Sequence, residues 1–257
     1  MGNHTHALEG FIATARWAGA DEATIAAAIT AAQPRLVVSG RLASGKDTVA
    51  EAVMRELGRT DAVRVSFATP LRREVDELID AIRANGADHA TEIVARVGGV
   101  PLEAGRKTAE FICQALAHDP CVNSYVRTRE IRLALQEWGT DVRRAHDSEY
   151  WVKQAMRQVV ELIAEQRPVY VTDARFPNEV QAARDLGFLA VRLEVELPIR
   201  AARLKARDGL DIDPAAENHP SEKELESYTG FDLWVDNSGP LANTVATIVT
   251  ALQAVPA

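Results

Sequence analysis

Several things are scarce in this chain of 257 residues, and each scarcity excludes a class of chemistry. There are two cysteines, Cys113 and Cys121, with no companion pair and no dense histidine cluster. A disulfide framework and a cysteine-based zinc site are therefore not indicated, and buried or incidental thiols in a reducing cytoplasm are expected. No apolar run approaches the roughly 20 residues that cross a bilayer, and the first residues lack the charged start and apolar core of a secretory signal. No membrane partner is expected. Positive charge is in deficit, with 29 Lys+Arg against 37 Asp+Glu and a net charge of -8. That balance argues against long nucleic acid bound on a basic face, while a local basic pocket for a small phosphate ester stays compatible with it. Internal repeats and low-complexity linkers are absent as well. With 47% hydrophobic and 26% charged residues the composition carries no sign of disorder, and the length suits one large domain with insertions.

What is present is a change of pattern near Pro34. Residues 1–33 read as an N-terminal helical appendage: "MGNHTHALEG" has the look of a mobile tail, and "FIATARWAGADEATIAAAITAAQ" supplies one or two helices. His4 and His6 have no further ligands nearby, so a tail is a better reading than a metal site. From 34 to 257 short β-branched runs alternate with longer helical segments. The runs "RLVVS", "AVRVSF", "PVYVT", "LAVRLEV" and "FDLWV" are strand-sized and mostly apolar throughout, as strands covered on both faces should be. They predict an α/β domain with a parallel sheet. The stretch between the second and third runs is too long for one crossover and rich in helix formers, so a helical insertion is expected at about 72–165, with breaks near Gly98, Gly99 and Pro101 and in "HDPCVNS".

The first run leads into "LVVSGRLASGKDTVAEAV", the Gly-x-x-x-x-Gly-Lys frame of a phosphate-binding loop from Gly40 to Lys46. A buried strand before the first glycine and a helix after the lysine let loop amides and a helix N-terminus converge on one anion. Gly40, Arg41, Leu42, Ala43, Ser44, Gly45, Lys46, Asp47 and Thr48 are the candidate ATP-binding residues, with Lys46 as the cation for the outer phosphates. Asp47 stands where a Ser or Thr hydroxyl normally reaches Mg²⁺. It either ligates the metal, directly or through water, or favours the helix dipole as a first-turn acid. A second acid, Asp173 in "PVYVTDARFPNE", follows a hydrophobic strand as a Walker B carboxylate does, or else caps the next helix. Arg175 follows it.

The ordered set "SGKDT", "LQEWGTD", "YWVK", "TDARFPNE" and "HPSE...FDLWVDNSG" resembles the phage-type deoxynucleoside monophosphate kinases, a branch of the P-loop nucleoside monophosphate kinases. The resemblance runs from about Arg35 to the C-terminal helix and leaves residues 1–33 outside it. It implies a three-layer P-loop fold with a five-stranded parallel sheet in order 2-3-1-4-5, a helical substrate-binding insertion and a mobile lid at about 200–222. It implies ATP and Mg²⁺ as donor and metal, with Asp47 and Asp173 near the metal, a deoxynucleoside monophosphate as acceptor, and, for a phage-encoded chain, the host cytoplasm. Carried across position by position, Arg72 would meet the acceptor phosphate. Arg132 and Gln136, four apart on a helix, would grip phosphate and base, with Gly139, Thr140 and Arg144 after them and Asp173 and Arg175 close by. Trp151 is either a platform for the base or core packing, and Trp138 is read as core.

Arg200, Arg203 and Arg207 recur at helical spacing after the fourth run. Arg203 and Arg207 are the candidate catalytic clamps with Lys46, although a solvated face would use the same residues. Ser221 and Glu224 form a capping-box pattern, so His219 and Ser221 are expected to order a helix. "DNSG" at 236–239 either borders the adenine or is a plain turn. Subunit number stays open, a homodimer included. Two alternatives to the acceptor reading are another small-molecule P-loop kinase, such as one acting on phosphomevalonate, and a nucleotide-binding regulatory ATPase.

Overall fold

Five strands are formed by the five apolar runs, because β-branched residues that lack helical spacing pair most favourably when both their faces are covered. In the computed structural model, β1 is Arg35–Ser39, β2 Val63–Val65, β3 Val169–Val171, β4 Leu189–Glu194 and β5 Leu233–Asp236. They make one parallel sheet in the order β2-β3-β1-β4-β5. Val37 lies level with Val171 on one side and Ala190 on the other. The structure describes residues 2–30, 33–126, 128–209, 211–212 and 223–254, with 2–6 as backbone. The side chains of His4 and His6, and residues 210 and 213–222 of the expected 200–222 lid, His219 and Ser221 among them, lie outside the described residues.

The chain divides into two compact units, 1–66 with 155–257, and 67–154. In the first unit, α3 (Lys46–Glu56) and the last helix, α11 (Leu241–Ala254), pack on Leu36, Val38, Val191 and Leu193 of the sheet. Val49, Ala50 and Val53 of α3 and Val245 and Ile248 of α11 complete that core. Two helices precede the sheet, α1 (Gly2–Trp17) and α2 (Glu22–Ile29), the latter capped by Asp21, which accepts from the Thr24 amide. Helix therefore begins at Gly2, where the sequence suggested a mobile tail. Phe11, Ala15, Ile25 and Ala28 are buried, and α1 lies against α9 (Pro177–Asp185).

The second unit is helical: α4 (Ala68–Asn85), a 3₁₀ turn at Ala87–His89, α5 (Ala90–Gly98), α6 (Leu102–His118), α7 (Arg129–Gln136) and a π-helical stretch from Glu137 to Arg144. Its end falls inside α8 (Tyr150–Ala164). It has its own core, built from Val75, Leu78, Ile79 and Ile82 of α4 with Ile93, Val94, Ile112, Ile131, Trp138 and Trp151. Gly98 and Gly99 end α5, and Gly99 takes a left-handed φ of 63° at the C-cap, which accounts for the break expected there. Among the described residues no helix is long and apolar enough to cross a membrane.

Candidate active site

The loop after β1 is shaped by two glycines for different reasons. Gly40 is in close contact: a Cβ there would lie 2.6 Å from Ser44 Oγ and 2.9 Å from the Leu193 carbonyl. Gly45 has a left-handed φ of 88° and forms the N-cap of α3, so the amides of the first helical turn open onto the loop. Lys46 Nζ donates to the carbonyls of Gly40 (2.7 Å) and Arg41 (3.0 Å), placing the cation across the loop from its own backbone. Ser44 Oγ is buried and has no hydrogen-bond partner, an uncompensated polar group within the loop.

β1, β3 and β2 are adjacent, so the residues leaving each strand meet at one edge of the sheet. Asp47, exposed at the start of α3, accepts from Thr172 Oγ1 just after β3 and pairs with Arg64 of β2 at 3.1 Å. Asp173 accepts from Ser66 Oγ, just after β2. Asp173 does not cap α9. The N-cap is Phe176, and the buried Glu179 carboxylate accepts from the amides of Arg175 (2.7 Å) and Phe176 (3.2 Å). The Arg175 side chain is exposed.

On the other side of the loop, α10 (Leu197–Asp208) supplies three arginines with different places. Arg200 is buried and donates to the carbonyls of Val195 (3.2 Å) and Leu42 (3.3 Å), so it braces the loop from behind instead of joining a row facing outward. Arg203 donates to the carbonyls of Asn237 (2.7 Å) and Ser44 (3.4 Å). Arg207 is exposed and forks onto Asp208 at 2.8 and 2.9 Å, and those hydrogen bonds hold its pKa above the ordinary guanidinium value. Arg203 and Arg207 line a cavity of about 270 Å³ with Ala43, Gly45, Thr48, Asn237 and Gly239. Arg41 pairs with Glu226, and Leu42 is exposed.

Asn237, from the "DNSG" turn, is more than a turn residue. Its buried side chain donates to the Ser44 carbonyl (2.9 Å) and accepts from Thr244 Oγ1 of α11 (2.9 Å), so it ties the loop to the last helix. The sequence signal is an Asn at the end of the last strand. Its target is 193 residues away, which no local pattern reveals. Arg64 and Thr172, which meet Asp47, were missed for the same reason.

The remaining candidates lie in the second unit. Arg72 donates to the Ser124 carbonyl and sits 5.0 Å over the Tyr125 ring. Asp76 holds the same turn through the Ser124 amide (2.6 Å) and hydroxyl (2.8 Å). Arg132, Gln136 and Thr140 are exposed along α7 and the π-helix, and Arg144 is half-buried. Gly139 is buried, and a Cβ there would meet Leu71 Cδ2 at 2.9 Å. Trp151 is only 2% exposed and donates from Nε1 to the Gly139 carbonyl at 3.0 Å. Of the two readings open for Trp151, its place here is core packing, with no ring face presented for a base. Trp138, fully buried, is core as expected.

The loop is the first crossover of a parallel sheet in order 2-3-1-4-5, followed by a helix that begins at its lysine. This is the P-loop fold. No protein-family model and no curated protein matches the chain. Among solved structures it is similar to a gluconokinase from Sinorhizobium meliloti 1021, at 18% identity and a TM-score of 0.41, over 86% of this chain and 91% of that one. It is similar to TT1252 from Thermus thermophilus at 18% identity and 0.42, over 88% and 99%. A third, an uncharacterized protein from Eubacterium ventriosum, stands at 11% and 0.38, over 86% and 98%. Likenesses this distant say nothing of activity, for which the local chemistry is the guide.

Proposed function

We propose that the chain is a phosphotransferase that moves the γ-phosphoryl group of ATP onto a deoxynucleoside 5′-monophosphate, giving ADP and the diphosphate. The observation that carries the reading is the loop of residues 40–48, a glycine-shaped cradle between a buried strand and a helix N-terminus, with the partnerless Ser44 hydroxyl turned inside it. An anion bound there would satisfy Ser44 Oγ and the amides of the first turn of α3 at once. Lys46 would exchange its two loop carbonyls for phosphate oxygens. Arg203 and Arg207, beside the cavity next to the loop, would meet charge on the transferring group, and the cavity itself would take the nucleoside.

The residues also fit a magnesium ion. Asp47 and Asp173 supply hard oxygen donors at the sheet edge next to the loop, and Thr48 adds a hydroxyl. When bound, the metal would neutralise charge on the nucleotide phosphates. Thr172 and Arg64 orient the Asp47 carboxylate, and Ser66 does the same for Asp173. The acceptor's phosphate oxygen is already anionic, so the protein needs no strong general base. Positioning and charge neutralisation carry the rate. Acceptor contacts are assigned to Arg72, Arg132, Gln136, Thr140 and Arg144 of the second unit.

A second reading is favoured by one observation. Burial of Trp151 removes the expected base platform, and a P-loop kinase for a small acceptor without a nucleobase would need none. Incubation of the protein with ATP, Mg²⁺ and each deoxynucleoside monophosphate separately, following ADP release, discriminates the readings. Acceptor-dependent turnover that falls at least about 100-fold in Lys46→Ala is expected. Turnover only with non-nucleotide acceptors would establish the second reading, and ATP hydrolysis indifferent to any acceptor would mark a regulatory ATPase.

A further inference from the structure

Helix α7 changes pitch at Glu137. The α-helix closes its bonds from i to i+4 and the π-helix from i to i+5, so the wider turns bring side chains five apart into contact. Trp138 and Arg143 are such a pair: the Arg143 guanidinium stacks over the Trp138 ring with its centre 4.7 Å from the centroid. In a continued α-helix of about 3.6 residues per turn they would be about 140° apart and could not meet. Both converge on one carboxylate of α4. Glu74 Oε2 accepts from Trp138 Nε1 (2.9 Å) and Arg143 Nε (2.8 Å), while Oε1 accepts from the Tyr150 hydroxyl at the start of α8. Arg143 also lies 4.9 Å from the Tyr150 ring, which meets Trp151 edge-on at 4.8 Å. Glu74 and Arg143 are largely buried, at 13% and 18% side-chain exposure, so this is an enclosed charge pair with three hydrogen bonds on a single acid.

The pitch change has a second geometric effect. Residues four apart drift by about 40° per step along an α-helix, and the drift reverses sign where the turn takes more than four residues. Arg132, Gln136, Thr140 and Arg144 are spaced by four across the α-to-π junction, so the two drifts offset and the four side chains share one stripe, opposite the buried Ile131, Ala134, Trp138 and Val142. A plain α-helix would wind Thr140 and Arg144 away from Arg132. Two guanidinium groups, an amide and a hydroxyl in one line suit a phosphorylated polar guest.

We infer that Glu74 is a positioning residue: through Trp138, Arg143 and Tyr150 it holds residues 137–144 in π-helical form and thereby keeps Arg132, Gln136, Thr140 and Arg144 on one face for a phosphorylated acceptor. The structural half stands on contacts within the second unit alone. The acceptor half rests on the proposed function.

The test uses the full chain with Glu74→Ala, and Glu74→Gln as the milder variant should the first fail to fold. Amide hydrogen exchange is read over 137–144, with α6 and α3 as internal references, and the acceptor KM, ATP KM and kcat are measured beside it. Exchange over 137–144 is expected to speed up by about tenfold or more while α3 and α6 stay as in the parent protein. The acceptor KM should rise about tenfold, with the ATP KM within about twofold. Unchanged exchange over 137–144, or acceleration shared equally by α6, overturns the inference, as does a kcat loss with both KM values unmoved. A parent protein without acceptor-dependent turnover sinks the functional reading, and the exchange result then decides the positioning role by itself.

Discussion

Two neighbouring residues of the phosphate loop hold left-handed backbone, and only one of them is glycine. Gly45 has φ 88° and would place a Cβ 2.9 Å from Asn237 Nδ2, while Ala43 has φ 61° despite its methyl group. The first position is correctly filled and the second stores strain of about 1–2 kcal/mol beside the cavity. Gly45→Ala should therefore lower stability by about 1–3 kcal/mol and weaken ATP binding by about tenfold or more, since it displaces the amide that closes the Asn237 tie to the loop. Ala43→Gly should do the reverse. Relief of about 1–2 kcal/mol exceeds the entropic cost of about 0.5–1 kcal/mol for a new glycine, leaving a small net gain. Urea midpoints of the two variants check both signs, and an Ala43→Gly protein less stable than its parent would refute the strain. At this scale the sequence was informative where function is local. The Gly-x-x-x-x-Gly-Lys frame located the loop, while Asn237, Arg64 and Thr172 act on it from other strands and left no local trace.

At the scale of elements, all five strands were legible because each is a short, mostly apolar run, interrupted only by single polar residues such as Arg64 and Arg192, and such runs need no partner to be recognised. The helix breaks at Gly98 and Gly99 were legible for a similarly local reason. The π-helical turn was not, because its cause is a tertiary carboxylate, Glu74, on a different helix. Helices α1 and α2 were expected, but their packing was not. Phe11 and Ala15 are buried, Thr14 donates to Asp185 of α9 at 3.3 Å, and the Arg35 guanidinium lies 5.6 Å from the Phe11 ring. Helix α1 packs against α2 and α9. Removal of residues 1–33 should therefore cost stability without touching the donor site: a thermal midpoint lower by roughly 5–10 °C from lost apolar burial, and affinity for a non-hydrolysable ATP analogue within about twofold of the full chain. Calorimetry with analogue titration measures both. An affinity loss of about tenfold in a still cooperative protein would show that these helices serve the site.

At the scale of the molecule, the residues proposed to hold the donor and those proposed to hold the acceptor belong to different cores. Gly40–Thr48, Arg203, Arg207 and Asn237 are braced by the core around Leu36, Val38 and Val53, whereas Arg72, Arg132, Gln136, Thr140 and Arg144 rest on the core around Leu78, Ile112 and Trp138. A ligand stabilises the state it binds by mass action, and the protection appears first in the unit whose contacts it completes. An ATP analogue with Mg²⁺ at about 100 times its Kd adds about 2.7 kcal/mol to the first unit. Slower amide exchange is then expected at 40–48 and in α3 and α11, with 129–144 changed little. A deoxynucleoside monophosphate alone should protect 129–144 and leave 40–48 as it was. Exchange measured with each ligand separately reads the two patterns in one protein. If the monophosphate instead protected only the loop at 40–48, it would be occupying the donor cradle, and the assignment of the acceptor to the stripe along α7 and the π-helix would have to be withdrawn.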